Sequence, residues 1–248
     1  MNENKNSNIF NTPIAHRGLF DNAVYPENTE PAFLEAIRLG YAIEMDVQMT
    51  LDKVLIVFHD NDLKRTLGAN GDVRNLTYNE IKNLTPFNKG YPIMTFSNFL
   101  KLVDGKVPIL VEIKHQINKG IEELVCLELD KYKGEFAVES FNPNIIYRIR
   151  KLRPRFTVGV LCTKEPKVSS KLVKFFMNNF GFKLYVKCDF LAVRVQDLLL
   201  NGKKLKKDRV ITWTVRNEEE LKIAEKYAEN IIFEKTVPTL SKFGEKKF

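Results

Sequence analysis

Short runs rich in β-branched and aromatic residues alternate along the chain with longer stretches of helical periodicity. From residue 107 onward the runs are Pro108–Lys114 (PILVEIK), Glu135–Phe141 (EFAVESF), Phe156–Cys162 (FTVGVLC), Phe190–Val195 (FLAVRV), Arg209–Val215 (RVITWTV) and Asn230–Glu234 (NIIFE). Thr12–His16 (TPIAH) and Ala42–Val47 (AIEMDV) bring the predicted strands to eight, with helical candidates such as Glu30–Leu39 and Asn217–Ala228 between them. This alternation is the pattern of repeated βα units around a parallel sheet. Eight repeats predict an α/β fold, a single closed (β/α)8 TIM barrel. A doubly wound open sheet is the alternative, but no G-x-G-x-x-G follows the first strand and there is no P-loop. Between the second strand and the helix near Phe96 the alternation breaks: Thr50–Pro92 holds an extended run (KVLIVFHD) and then a Gly/Asn/Asp-rich stretch. That is too long for an ordinary loop, so an insertion above the barrel mouth is expected at about 50–92. No repeat or Pro/Ser-rich linker divides the chain, so residues 12–248 are expected to form one domain after a disordered lead-in over residues 1–11.

Composition narrows the picture further. A chain of 248 residues, 44% hydrophobic and 28% charged, suits one barrel-sized core. No stretch approaches the ~20 apolar residues of a membrane span, and the N-terminus lacks an apolar signal core. A soluble cytoplasmic protein is therefore expected; whether it forms a homo-oligomer is left open. Cys126, Cys162 and Cys188 have no C-x-x-C spacing, which argues against a disulfide framework or a zinc site. The net charge of +8 raises the question of an anionic partner, and the runs Lys203–Arg209 and Lys242–Lys247 carry much of it. Neither run is interleaved with aromatics, so both are read as solvated surface and no nucleic-acid partner is expected.

Candidate chemistry gathers on few residues. Glu44 and Asp46 are two apart on one strand, so the pleat points both carboxylates to the same face. The same alternation places Glu112 and Lys114 together and turns Ile113 toward the helices. All four lie at the C-terminal ends of their strands, where barrels of this kind build active sites. Crowded carboxylates repel unless a cation neutralises them. They suggest either a hard divalent ion, Mg²⁺ or Ca²⁺ with Mn²⁺ a further candidate, or salt bridges with lysines and arginines on the rim. Two of three histidines close apolar runs: His16 in AHRG and His59 in VFHD. Imidazole moves protons near neutral pH, and phosphodiester cleavage needs both a base and an acid. Arg17 can fork onto phosphate oxygens and Lys114 can supply a point charge. His115 faces away by alternation and is set aside as structural.

Taken in order, AHRG (15–18), PENT (26–29), EMDV (44–47), T-x-D (50–52), FHD (58–60) with L-x-R-T (63–66), EIK (112–114), ESF (139–141) and WTV (213–215) resemble the glycerophosphodiester phosphodiesterase family. The resemblance runs from residue 13 to about 235 and is densest before residue 115. It implies a (β/α)8 barrel with a small insertion after the second strand, and metal ligation by Glu44, Asp46 and Glu112. It implies acid/base catalysis by His16 and His59, and phosphate contacts from Arg17 and Lys114. The reaction implied is cleavage of a small-molecule glycerophosphodiester to glycerol 3-phosphate and an alcohol. Trp213 is either an apolar wall for the glycerol or a barrel-layer core residue, and Glu27 and Asn28 are expected to shape the site. Two mouth segments differ from the family pattern, Arg216 after WTV and the NIIFE strand end, and bear on substrate preference. Two alternatives stand beside this reading: a catalytically silent barrel that binds anionic phospholipid headgroups, and a phospholipase C or D acting on intact or lyso lipids.

Overall fold

The computed structural model describes residues 8–116, 118–163, 181–205, 207–235 and 238. Eight parallel strands close on themselves: β1 (Ile14–Ala15), β2 (Ala42–Met49), β4 (Ile109–Ile113), β5 (Phe136–Ser140), β6 (Val158–Cys162), β7 (Phe190–Arg194), β8 (Val210–Val215) and β9 (Asn230–Phe233), with β9 and β2 both pairing β1. The ninth strand, β3 (Leu55–Val57), adds antiparallel to the upper end of β2. The predicted (β/α)8 barrel is thus the observed fold. Predicted strand ends move by only a residue or two; β1 shortens at both ends, where Pro13 lacks a donor and the chain turns at Arg17.

Strand alternation sorts every strand into two cores. Outward residues such as Ile43, Met45, Val47, Ile109, Val111 and Ile113 pack with the helices. Among these, Phe96–Val103 turns Phe96, Phe99, Leu100 and Val103 inward. Inward residues Ala42, Leu110, Ala137, Leu161, Phe190, Ala192, Ile211 and Ile232 fill the lumen. Gly159 leaves room there for a neighbour: a Cβ on it would stand 2.2 Å from the Phe190 ring.

The floor of the lumen is closed by residues expected to be disordered. Asn8–Phe10 form a 3-10 turn, and Ile9 and Phe10 are fully buried in the lumen cluster. The disordered lead-in therefore does not extend to them; residues 1–7 lie outside the described residues. Burial of two large apolar side chains outweighs the ordering of three residues. Phe10 meets Phe190 edge-on at 5.7 Å and lies under the Arg209 guanidinium. The Asn230 amide donates to the carbonyls of Ile9 and Thr12, both at 2.7 Å. Asn230→Ala leaves a buried and a half-buried carbonyl without their donor and is expected to cost about 1–3 kcal/mol, read as a lower midpoint in urea or thermal unfolding.

The insertion carries β3, two single-turn helices (Lys64–Leu67 and Tyr78–Ile81), and its own apolar cluster of Ile56, Phe58, Leu63, Leu67, Val73, Ile81 and Ile93. That independent packing holds His59 over the mouth. Lys206 and the run Lys242–Lys247 lie outside the described residues. The three cysteines are free; burial pushes the thiols of Cys126 and Cys188 up to about 11 and so makes them poor nucleophiles.

Candidate active site

All eight residues singled out from the sequence converge at the C-terminal mouth. Glu44 and Asp46 face the lumen from β2 and Glu112 from β4, and one oxygen from each lies within 4.8 Å of the others. The register that pairs Asp46 with Glu112 and Glu112 with Glu139 sets a fourth carboxylate, Glu139, beside them. Sequence reasoning missed Glu139 as a site residue, although it stands in the ESF motif with the same inward parity as Glu112.

Electrostatics splits these acids. Burial, reinforced by Asp46 and Glu112, pushes the Glu44 carboxyl well above the usual range. Burial and then Glu112 do the same to Glu139. Burial would also raise Asp46, but Lys114 and Arg17 outweigh it and hold Asp46 well below. Their contacts explain why: Lys114 Nζ lies 2.9 Å from Asp46 and 2.6 Å from Glu112, and Arg17 Nε lies 3.3 Å from Asp46. The rim ion pairs weighed against a metal are thus real for Asp46. Glu44 is placed differently, accepting from the Arg17 backbone N–H at 2.9 Å and standing 3.8 Å from His16 Nε2. Its Oε1 and the Oε2 of Glu139 are buried with no hydrogen-bond partner. Buried, unpartnered carboxylate oxygens in a cluster of hard ligands fit a divalent cation.

Local backbone geometry aims the cations. Arg17 is left-handed, φ 54°, and Gly18 follows at φ 79°, where a Cβ would stand 2.8 Å from the Ala32 backbone. This turn presents the Arg17 N–H to Glu44, while Arg17 Nη1 donates to Glu27 at 2.6 Å. Asn28, also left-handed at φ 57°, donates its amide to Asp46 at 2.8 Å. Glu27 and Asn28 of PENT therefore do shape the site.

Each histidine is held by a carboxylate on Nδ1. Glu234 accepts from His16 Nδ1–H at 2.5 Å, and Asp60 contacts His59 Nδ1 at 2.6 Å. Burial lowers His16 below its ordinary 6.5, partly offset by the Glu234 bond. Glu234 is held at about 2 despite burial by its bonds to His16 and Arg216. Asp60 is likewise held at about 2 by His59 and Arg65. Arg65 also forks onto Glu27 at 2.7 and 2.9 Å, tying the insertion to the barrel. The sequence reading missed Glu234, Asp60 and Arg65 as partners. Trp213 sits where a barrel-layer core residue would: Nε1 donates to the Ala192 carbonyl at 3.0 Å, and the indole packs on the lumen core while lining the mouth opposite Phe141, 5.4 Å away edge-on. His115 lies outside the pocket, exposed, with Nδ1 3.0 Å from the Asn142 amide.

A parallel barrel whose mouth joins two carboxylate-held imidazoles to a buried acidic cluster and two cations is the layout of an enzyme acting on an anionic ester. The profile of the Glycerophosphoryl diester phosphodiesterase family matches residues 16–233, and the chain belongs to that family. It is 32% identical over 224 residues to the glycerophosphodiester phosphodiesterase of Caldanaerobacter subterraneus subsp. tengcongensis, covering 84% of this chain and 87% of that one. Its fold is shared with a glycerophosphodiester phosphodiesterase from Parabacteroides distasonis at TM-score 0.72, with 22% identity and 90% and 92% of the two chains covered. An Oleispira antarctica phosphodiesterase solved with its product sn-glycerol-3-phosphate matches equally well, TM-score 0.72 at 20% identity over 89% and 91% of the chains. No helix among the described residues is long and apolar enough to cross a membrane.

Proposed function

We propose that the protein is a divalent-metal-dependent enzyme that hydrolyses glycerophosphodiesters to glycerol 3-phosphate and an alcohol. The observation that carries this reading is the pair of imidazoles, each with Nδ1 fixed by a carboxylate, set around a buried acidic cluster. Glu44, Asp46 and Glu112 would hold the cation, which when bound supplies positive charge to the phosphate oxygens. Arg17 and Lys114 add fixed positive charge. Glu234 on Nδ1 leaves the Nε2 lone pair of His16 toward the cluster, and burial favours the neutral ring. His16 is accordingly assigned the base that deprotonates the attacking oxygen, whether water or the substrate's own glycerol hydroxyl. Asp60 offers His59 a fixed anion, which suits a ring delivering a proton to the departing alkoxide. Trp213 and Phe141 give the glycerol carbons an apolar wall.

The direct test incubates purified protein with a panel of glycerophosphodiesters and lysolipids, with and without Mg²⁺, Ca²⁺ or Mn²⁺, and assays glycerol 3-phosphate. Metal-stimulated release from at least one glycerophosphodiester is expected. Binding without product would replace this reading with a headgroup-binding barrel, and turnover of lysolipids alone would favour a phospholipase.

A further inference from the structure

The strand that supplies Glu44 and Asp46 sends a further polar side chain inward, Gln48, which is fully buried. Its Nε2 lies 3.2 Å from the Phe58 carbonyl, 3.0 Å from that of His59 and 2.6 Å from that of Asp60. These carbonyls sit beyond the ladder: β3 ends at Val57, and the Phe58 N–H to the Asp46 carbonyl, 3.0 Å, ends the backbone pairing to β2. Backbone carbonyls that leave a sheet away from water need a donor, and here the two hydrogens of one amide are shared among three carbonyls in a row, one buried and two half-buried. The His59 ring is oriented from its far side by Asp60 and Arg65, but nothing in those contacts fixes the height of its backbone over the mouth.

The geometry points to Gln48 as the positioning residue for His59: its amide clamps the 58–60 backbone so that the imidazole meets the leaving-group oxygen. The inference rests on the reading of His59 as the acid. It requires a donor at the end of a four-atom side chain. Glutamate would present oxygens to three carbonyl oxygens, asparagine is one methylene short, and methionine has the length without the N–H.

The test compares two substrates in the intact chain loaded with metal. One is a glycerophosphodiester with an alkyl alcohol leaving group; the other is glycerol 3-phospho-p-nitrophenol, whose phenolate departs without a proton. Gln48→Met should lower kcat on the alkyl ester about ten- to a hundredfold with KM little changed, the scale of a misplaced catalytic group. On the nitrophenyl ester the loss should shrink to about threefold or less, and His59→Ala should show the same leaving-group dependence. The ratio of the two rates is read within one preparation, so any unfolded fraction cancels, and Gln48→Asn provides a milder variant with the same expected direction. Equal loss on both substrates, or full activity of Gln48→Met, overturns the clamp. If His59→Ala itself lacks the leaving-group dependence, the acid assignment fails and takes the clamp with it, a failure identified by the histidine variant alone.

Discussion

His16→Ala and His59→Ala are each expected to lower turnover of a glycerophosphodiester by about a hundredfold or more, the usual loss on removing a general acid or base. The structure separates the two effects. Burial keeps His16 below 6.5, so its proton-accepting form holds at neutral pH, and the acid limb of kcat/KM is expected below that value. In His16→Ala this limb disappears along with the rate. His59→Ala keeps the limb and loses rate mainly on substrates with poor leaving groups. Steady-state pH profiles of the two variants check both statements, and near-wild-type turnover by either one removes that histidine from the mechanism.

Divalent metal is expected to raise the melting temperature, by an amount that grows with pH. In the metal-free protein Glu44 is held well above the usual carboxylate range, so its contribution to stability is full at low pH and is lost as pH climbs through its folded-state value. Asp46 has the opposite sign, since its depressed carboxyl contributes stability at neutral pH that is lost in acid. A cation favours the ionised form of both, so binding displaces the Glu44 proton and tightens as protons become scarce. Glu44→Gln imitates the protonated carboxyl and keeps an oxygen for the Arg17 N–H. Its metal-free melting temperature should therefore stay within a few degrees of wild type, while the metal-induced rise and the activity are lost. EDTA should abolish wild-type activity reversibly. Scanning calorimetry at several pH values with and without Mg²⁺, Ca²⁺ or Mn²⁺ reads the effect. A metal shift that persists in Glu44→Gln would place the ion elsewhere.

Much of this site can be read from strand parity. Period two alone put Glu44 with Asp46, and Glu112 with Lys114, on the lumen side and turned Ile113 to the helices, as the two apolar clusters bear out. Gln48 and Glu139 obey the same parity and were legible by the same argument, but a lone amide and an acid in a later strand carry no spacing signal of their own. The partners of the histidines are another matter. Glu234 lies 218 positions from His16, and only closure of β9 onto β1 brings them together. Arg65 reaches Glu27 across 38 positions through the packing of the insertion. Strand alternation describes neighbours on one element; pairings made by barrel closure and by a packed loop arise from tertiary geometry. Ile9 and Phe10 escaped for a related reason. Two apolar residues among asparagines have no period, and what orders them is the lumen of a barrel that the rest of the chain must first build.

That floor sets where the chain can be trimmed. The region recognisable by family runs over 16–233, yet Ile9 and Phe10 occupy the bottom of the lumen and Asn230 is bonded to the carbonyls of Ile9 and Thr12. A gene fragment cut to the recognisable region would drop β1 and Glu234, which holds His16, and would leave Phe190 and its neighbours without Ile9 and Phe10 beneath them. For this barrel the minimal expression unit starts upstream of the family match, and a boundary drawn at that match would discard the plug.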